Sequence, residues 1–317
     1  MSKTEKKQTS AAKIYDFCGK RRMVIIIYAI IIVLAIAAPI IRGVDLAIEF
    51  KGGTLISYTY TGDIDIKEAT STVNDIVGTS VTIRSGESLE SGDKELTISF
   101  TSETGLTADR QAELSDTLAA KYPDNNIVLY DSNDVTPTTG KEFFLKCIIA
   151  VIFAAILIII YIAIRFRKIG GWSAGFCSIL ALVHDLIVAV TTSIICGFEI
   201  NSNIVAVILT ILGYSINNTI VIYDRIRENK KLTPKASTND IINAGCSQSL
   251  TRSIRTSITT IGTMLIITIV VLVSGYTSLL TFSVPLMLGL ISGTYSSLFV
   301  APCIWSWILD RKKTNKK

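Results

Sequence analysis

Gly213-Tyr-Ser-Ile-Asn-Asn-Thr-Ile-Val-Ile-Tyr-Asp-Arg-Ile-Arg-Glu-Asn229 decides the reading of this 317-residue chain. The segment starts inside an apolar run long enough to cross a bilayer and ends in a charged cuff, Asp224 and Arg225 onward. Between them lie Ser215, Asn217, Asn218 and Thr219, polar groups at membrane depth. Such groups are costly in hydrocarbon and line a bundle interior, a pathway or a partner contact. The stretch therefore reads as part of a transport device rather than an anchor.

Working outward, the composition agrees. Hydrophobic residues make up 49% and charged residues only 18%, and the mean hydropathy is +0.49, which places the chain among polytopic membrane proteins. Six stretches reach the roughly 20 residues that a bilayer demands: 23–41, 143–164, 172–195, 203–223, 256–273 and 282–309. The bundle of spans two to six is thus expected over 143–309. Lys and Arg crowd the N-terminal segment 1–22, the links after spans two and four, and the tail 310–317, whereas the links near 197–202 and 275–281 have none. By the positive-inside rule both termini are expected in the cytosol of a cell whose plasma membrane the chain crosses six times. Ala35-Ile-Ala37 resembles a signal-peptidase site, but the apolar run continues past Pro39 to Ile41, longer than a typical h-region, so a retained helix is expected.

The one long segment outside the membrane, 42–142, holds 8 Lys/Arg against 18 Asp/Glu, a net charge of −10. Its pattern predicts a strand over 54–60, a helix over 64–77, strands over 80–84 and 95–101 joined by the polar 85–94, a helix from the N-cap Thr107 to about Tyr122, and a short strand over 127–130. That βαββαβ order predicts a ferredoxin-like α+β domain between the first two spans. Val44–Phe50 is a candidate extra strand, and Gly52-Gly53 marks a bend. The domain has no His or Cys and its carboxylates are scattered, so neither catalysis nor metal binding is expected there.

Within the spans, His184-Asp185 puts a carboxyl at the centre of the third, where charge costs about 2.5–3.5 kcal/mol; it is either a proton-handling site or a hydrogen-bonded pin. Thr210, Tyr214, Asn217, Asn218 and Val221 share a face of the fourth span by spacing, and Gly213 would allow another helix close approach. Arg252 opens the fifth. Gly289, Ser292, Gly293, Ser296 and Ser297 in the sixth are accounted for by close packing. Gly171-Trp-Ser173-Ala-Gly175 fits G-x-S-x-G, but that motif needs a strand–turn–helix elbow, and here it opens a membrane helix. No Walker A motif is present, and His184 is the only histidine. No enzyme, cofactor, metal site or nucleic-acid contact is expected.

Four blocks resemble the SecF family, the SecD–SecF protein-export subunits of the RND superfamily: Glu49-Phe-Lys-Gly-Gly-Thr54, Ala181-Leu-Val-His-Asp185, Leu209–Asn229, and Arg252-Ser-Ile-Arg-Thr-Ser-Ile-Thr-Thr260. The resemblance implies half of a twelve-helix assembly completed by a SecD-like protein. It would work beside the SecYEG channel on preproteins in transit and use an ion gradient, mainly protons. In this family a relay Asp often stands where this chain has Asn218, and an amide cannot titrate. The resemblance then implies coupling through a carboxylate of the SecD-like partner beside Asn218 and Arg252, with Asp185 as a second candidate. A half-transporter of the same superfamily exporting small molecules or lipids is the alternative reading.

Overall fold

The computed structural model describes residues 14–79, 81–87, 94–101, 106–274 and 277–314. The basic residues before 14 and after 314, Ser80, most of the 85–94 link and part of the 275–281 link lie outside these.

Six helices among the described residues are long and apolar enough to cross a membrane. The first, α1 (Arg21–Arg42), continues through Ala37 and Pro39. After a short turn, α2 (Ile48–Lys51), the chain builds β1 (Gly53–Tyr60), α3 (Ile66–Val77), β2 (Val81–Glu87), β3 (Lys94–Phe100), α4 (Ala108–Lys121) and β4 (Val128–Val135). It then re-enters the bundle as α5 (Pro137–Arg165), α6 (Gly171–Cys196), α7 (Ser202–Leu232), α8 (Thr238–Val273), α9 (Thr277–Tyr295), a π-helical turn Ser296–Val300, and α10 (Ala301–Thr314).

The small domain is one four-stranded antiparallel sheet in the order β2-β3-β1-β4. Alternation on β1 sends Ile56, Tyr58 and Tyr60 to one face, where Leu96 and Ile98 of β3 join them under α3 and α4. Ala69, Val73, Leu114 and Leu118 close this core with no exposed surface. Each Leu or Ile so buried stabilises the domain by about 1.5–3 kcal/mol. Asp65 sets the start of α3 by accepting the backbone N–H groups of Lys67 and Glu68, which is why the helix begins two residues later than its apolar spacing suggests. Thr107 occupies the N-cap position of α4 without a side-chain cap bond.

Two expectations need correction here. Residues 44–50 add no strand to the sheet. Instead the Ala47 N–H donates to Ile200 O and the Ile200 N–H to Asp45 O, so the backbone groups a strand would offer are used by the link between α6 and α7, and α2 follows. The last strand is also twice the expected length, because Asp131–Val135 pair with Gly53–Ser57 despite their polarity. At the junction with the bundle, Gly52 (φ +85°) and Gly53 (φ +151°) turn the chain, and a Cβ on Gly52 would lie 2.5 Å from Pro137 Cα.

Helix α6 is the centre of the bundle. It buries Ala174, Cys177, Ala181 and Ala189, small residues that let neighbours approach. Tyr28 of α1 stacks on His184, with centroids 5.0 Å apart. Gly245 of α8 abuts Ile226 of α7, and Gly289 of α9 abuts Ile211. The helical runs of α7 and α8 extend well past their apolar cores, to Leu232 and back to Thr238, as a hairpin with only five residues between. The sixth crossing is interrupted by the π turn. All six cysteines are free.

Candidate functional site

Asp185 is wholly buried, and the fold surrounds it with hydroxyls from three directions. Ser215 Oγ of α7 donates to Oδ2 at 2.7 Å, Ser296 Oγ of the π turn donates to Oδ2 at 2.7 Å, and Ser292 Oγ of α9 donates to Oδ1 at 2.7 Å. His184 Nδ1 lies 3.1 Å from Oδ1 and 3.2 Å from Ser292 Oγ. A Cβ on Gly293 would sit 3.2 Å from Ser215 Cβ, so the glycine leaves Ser215 room to reach the carboxyl group beside α9. A buried carboxyl group away from water needs its polar atoms partnered, and here three hydroxyls donate to its oxygens with the His184 ring in contact. His184 Nε2 and the Tyr295 hydroxyl are buried without hydrogen-bond partners among the described residues, with the two rings 6.0 Å apart.

A second polar layer lies against the first. Tyr214 OH donates to Ser257 Oγ at 2.9 Å, and Ser257 Oγ and Thr294 Oγ1 are 2.8 Å apart, which joins α7, α8 and α9. The serines of the sixth crossing thus do more than pack. Small residues at i, i+4 spacing look the same in sequence whether they admit a neighbouring helix or donate to it. Only the position of Asp185 distinguishes the two.

The other candidates fall elsewhere. Asn218 is 5% exposed and its Nδ2 has no partner among the described residues, but it does not reach Asp185; Ser215, one turn earlier, makes that contact. Asn217 points out of the chain, as do Thr210 and Gly213. Among the described residues, a Cβ on Gly213 would meet nothing within 4 Å. Arg252 is exposed and lines a groove at the charged end of α7 and α8 with Arg225, Lys231 and Gln248. Asp224 pairs with Arg165 at 3.0 Å and Arg227 at 2.8 Å, and Arg225 pairs with Glu228 at 2.6 Å, so the cuff ties α5 to α7. The Ser173 hydroxyl of the G-x-S-x-G run donates to Gly170 O and accepts the Trp305 indole N–H, a helix-end and packing role.

Residues 115–311 match the family described as protein export membrane protein SecD/SecF, C-terminal. The chain belongs to the SecD/SecF family. It is 34% identical over 293 residues to the protein translocase subunit SecF of Calditerrivibrio nitroreducens, covering 90% of this chain and 91% of that one. It is 42% identical over 174 residues to the protein translocase subunit SecDF of Bacillus subtilis, where the match covers 54% of this SecF-family chain but 22% of the relative. A crystal structure of SecDF, a translocon-associated membrane protein from Thermus, superposes with a TM-score of 0.77 at 27% identity over 93% of this chain, which spans 39% of that one. SecDF proteins are therefore much longer than this chain, and the SecF subunits are of similar length.

Proposed function

We propose that this chain is the SecF half of a SecD–SecF assembly, an accessory subunit that assists preprotein export across the plasma membrane beside a SecYEG channel. Its termini are cytosolic, and its small domain, 42–142, stands outside as a ferredoxin-like unit. The sheet order β2-β3-β1-β4 and the βαββαβ sequence of elements support that assignment.

The observation that carries the pairing is an open polar face. Thr210, Gly213 and Asn217 of α7 and Thr256, Thr259 and Thr263 of α8 are exposed in the single chain, with Thr260 half-buried beside them, at the depth of its apolar spans. The hydroxyls of Thr210, Thr259, Thr260 and Thr263 donate to carbonyls of their own helices. A carboxamide such as that of Asn217 calls for a partner bundle rather than lipid. The match to about two fifths of a SecDF chain supports a SecD-like protein as that partner.

For coupling to the ion gradient, Asp185 is the only carboxylate inside the six expected spans. We assign proton handling in this half to Asp185 with His184, with Asn218 and Arg252 serving as hydrogen-bonding and charge-setting neighbours of a carboxylate from the partner. Affinity purification of the tagged chain from native membranes in mild detergent, with mass spectrometry of the bound proteins, tests the assembly. A SecD-like protein is the expected companion. A homodimer or a small-molecule pump subunit instead would overturn the reading.

A further inference from the structure

Strand β4 is unlike the rest of its sheet. Its first seven residues, 128–134, are exposed and only Val135 is half-buried. The core of the domain draws on β1, β2, β3, α3 and α4, and β4 contributes nothing to it. The strand lies beyond the edge of the helix layer, open on both faces and along one side. At its start Val128 is 60% exposed, Leu129 41% and Tyr130 53%, three consecutive large apolar residues. Exposed apolar edge strands are templates for another strand, and natural domains guard them. The guards here are of one sign. β4 carries Asp131 and Asp134 and no Lys, Arg or Pro. No ion pair to either Asp occurs among the described residues; Asp134 accepts the Thr54 hydroxyl and Asp131 the Asn133 amide. A bulge at Tyr130, where Ser57 pairs with Asp131 and Tyr58 with Leu129, separates the polar stretch 131–135 from Val128 and Leu129, which still pair with β1.

We propose that β4 is a pairing edge for an extended, cation-bearing and apolar segment of a polypeptide in transit, added as a fifth strand on the side away from β1. The proposal rests on the export reading. Charge selects the occupant: a second copy would bring another acidic edge and another domain of net charge −10 against this one, whereas Asp131 and Asp134, paired with Ser57 and Thr54, lie on opposite faces of the sheet, so Lys or Arg on either face of an added strand meets one of them. Backbone pairing needs no fixed client sequence, and this suits a site that meets many chains.

The test uses the full chain in nanodiscs and the fluorescence anisotropy of a short peptide alternating valine and lysine. Binding is expected at low salt. It should weaken by about tenfold or more for the valine–glutamate peptide, and again for a valine–lysine peptide N-methylated at alternate amides, which cannot complete the ladder. Asp131→Lys combined with Asp134→Lys should cut binding of the lysine peptide, while Asp109→Lys combined with Asp116→Lys on the exposed side of α4, of equal charge change, should not. Equal losses from the two variants, or unimpaired binding of the N-methylated peptide, would mean diffuse electrostatics and overturn the proposal. Self-association of the chain abolished by Asp131→Lys would make the occupant a second copy and overturn it as well. None of these outcomes depends on whether a SecD-like protein co-purifies, so failure here and failure of the export reading remain distinguishable.

Discussion

At the scale of single residues, the Asp185 cage allows its two roles to be separated. Asp185→Ala removes the acceptor for Ser215, Ser292 and Ser296 together with the contact to His184. The expected cost is about 3 kcal/mol or more, as for other broken buried hydrogen-bond networks. Asp185→Asn keeps one acceptor oxygen and the shape, so it should cost about half as much. Thermal unfolding in detergent reads both; a bundle that melts like the wild type in either variant would show that the cage holds nothing together. Function separates them differently. If the carboxyl moves protons, Asp185→Asn loses ion-gradient-dependent export while it stays folded; if it is a pin, export survives in proportion to the remaining stability. The cage was only half legible beforehand. His184-Asp185 stood out because a carboxyl in an apolar span needs a reason. Ser292 and Ser296 did not, because hydroxyls on a helix of small residues carry no sign of what they face. The π turn that aims Ser296 leaves no mark in the sequence at all.

At the scale of elements, the junction between domain and bundle rests on close backbone approach. Gly52 needs both its positive φ and its missing Cβ, with Pro137 Cα 2.5 Å from where that atom would stand. Gly78, the C-cap of α3, has φ +74° and open space around it. Gly78→Ala should therefore cost about 1 kcal/mol for conformation alone. Gly52→Ala should cost clearly more and also loosen the domain on its stalk, visible as faster proteolysis between 43 and 53. Equal costs would mean that the junction yields freely. The glycine pair announced a bend in the sequence, but not that Pro137 packs on it. Hydropathy located all six crossings for the same reason that it misjudged their ends: it senses lipid, and α7 and α8 continue as a polar hairpin held by Arg225–Gln248 and Asn229–Gln248 contacts. Residues 44–50 misled because β formers announce extended backbone without naming the strand they will pair with, which here is the α6–α7 link.

At the scale of the whole molecule, the chain has two kinds of exposed helix surface, and they predict different neighbours. Ile25, Ile36, Ile40 and Ile41 on α1, and Leu145, Ile149, Phe153 and Ile164 on α5, are large and apolar, as lipid-facing residues should be. Gly213, Asn217 and Thr259, with the half-buried Gly262 beside them, are small or polar, and Cβ atoms on the two glycines would meet nothing within 4 Å. If that second face receives the partner's helices, bulk added there should be silent in the isolated chain and damaging in the assembly. Gly213→Leu is expected to shift stability of the lone chain by no more than about 0.5 kcal/mol, the range of surface substitutions. The same change should reduce recovery of the SecD-like partner by about tenfold, equivalent to about 1.4 kcal/mol of association. Ile149→Ala, on the apolar face of α5, should leave recovery unchanged. If Gly213→Leu instead retains the partner while Ile149→Ala loses it, the pairing face lies along α5. The polar stripe on α7 and α8 would then need a different occupant, and the placement of Asn218 and Arg252 beside a partner carboxylate would fall with it.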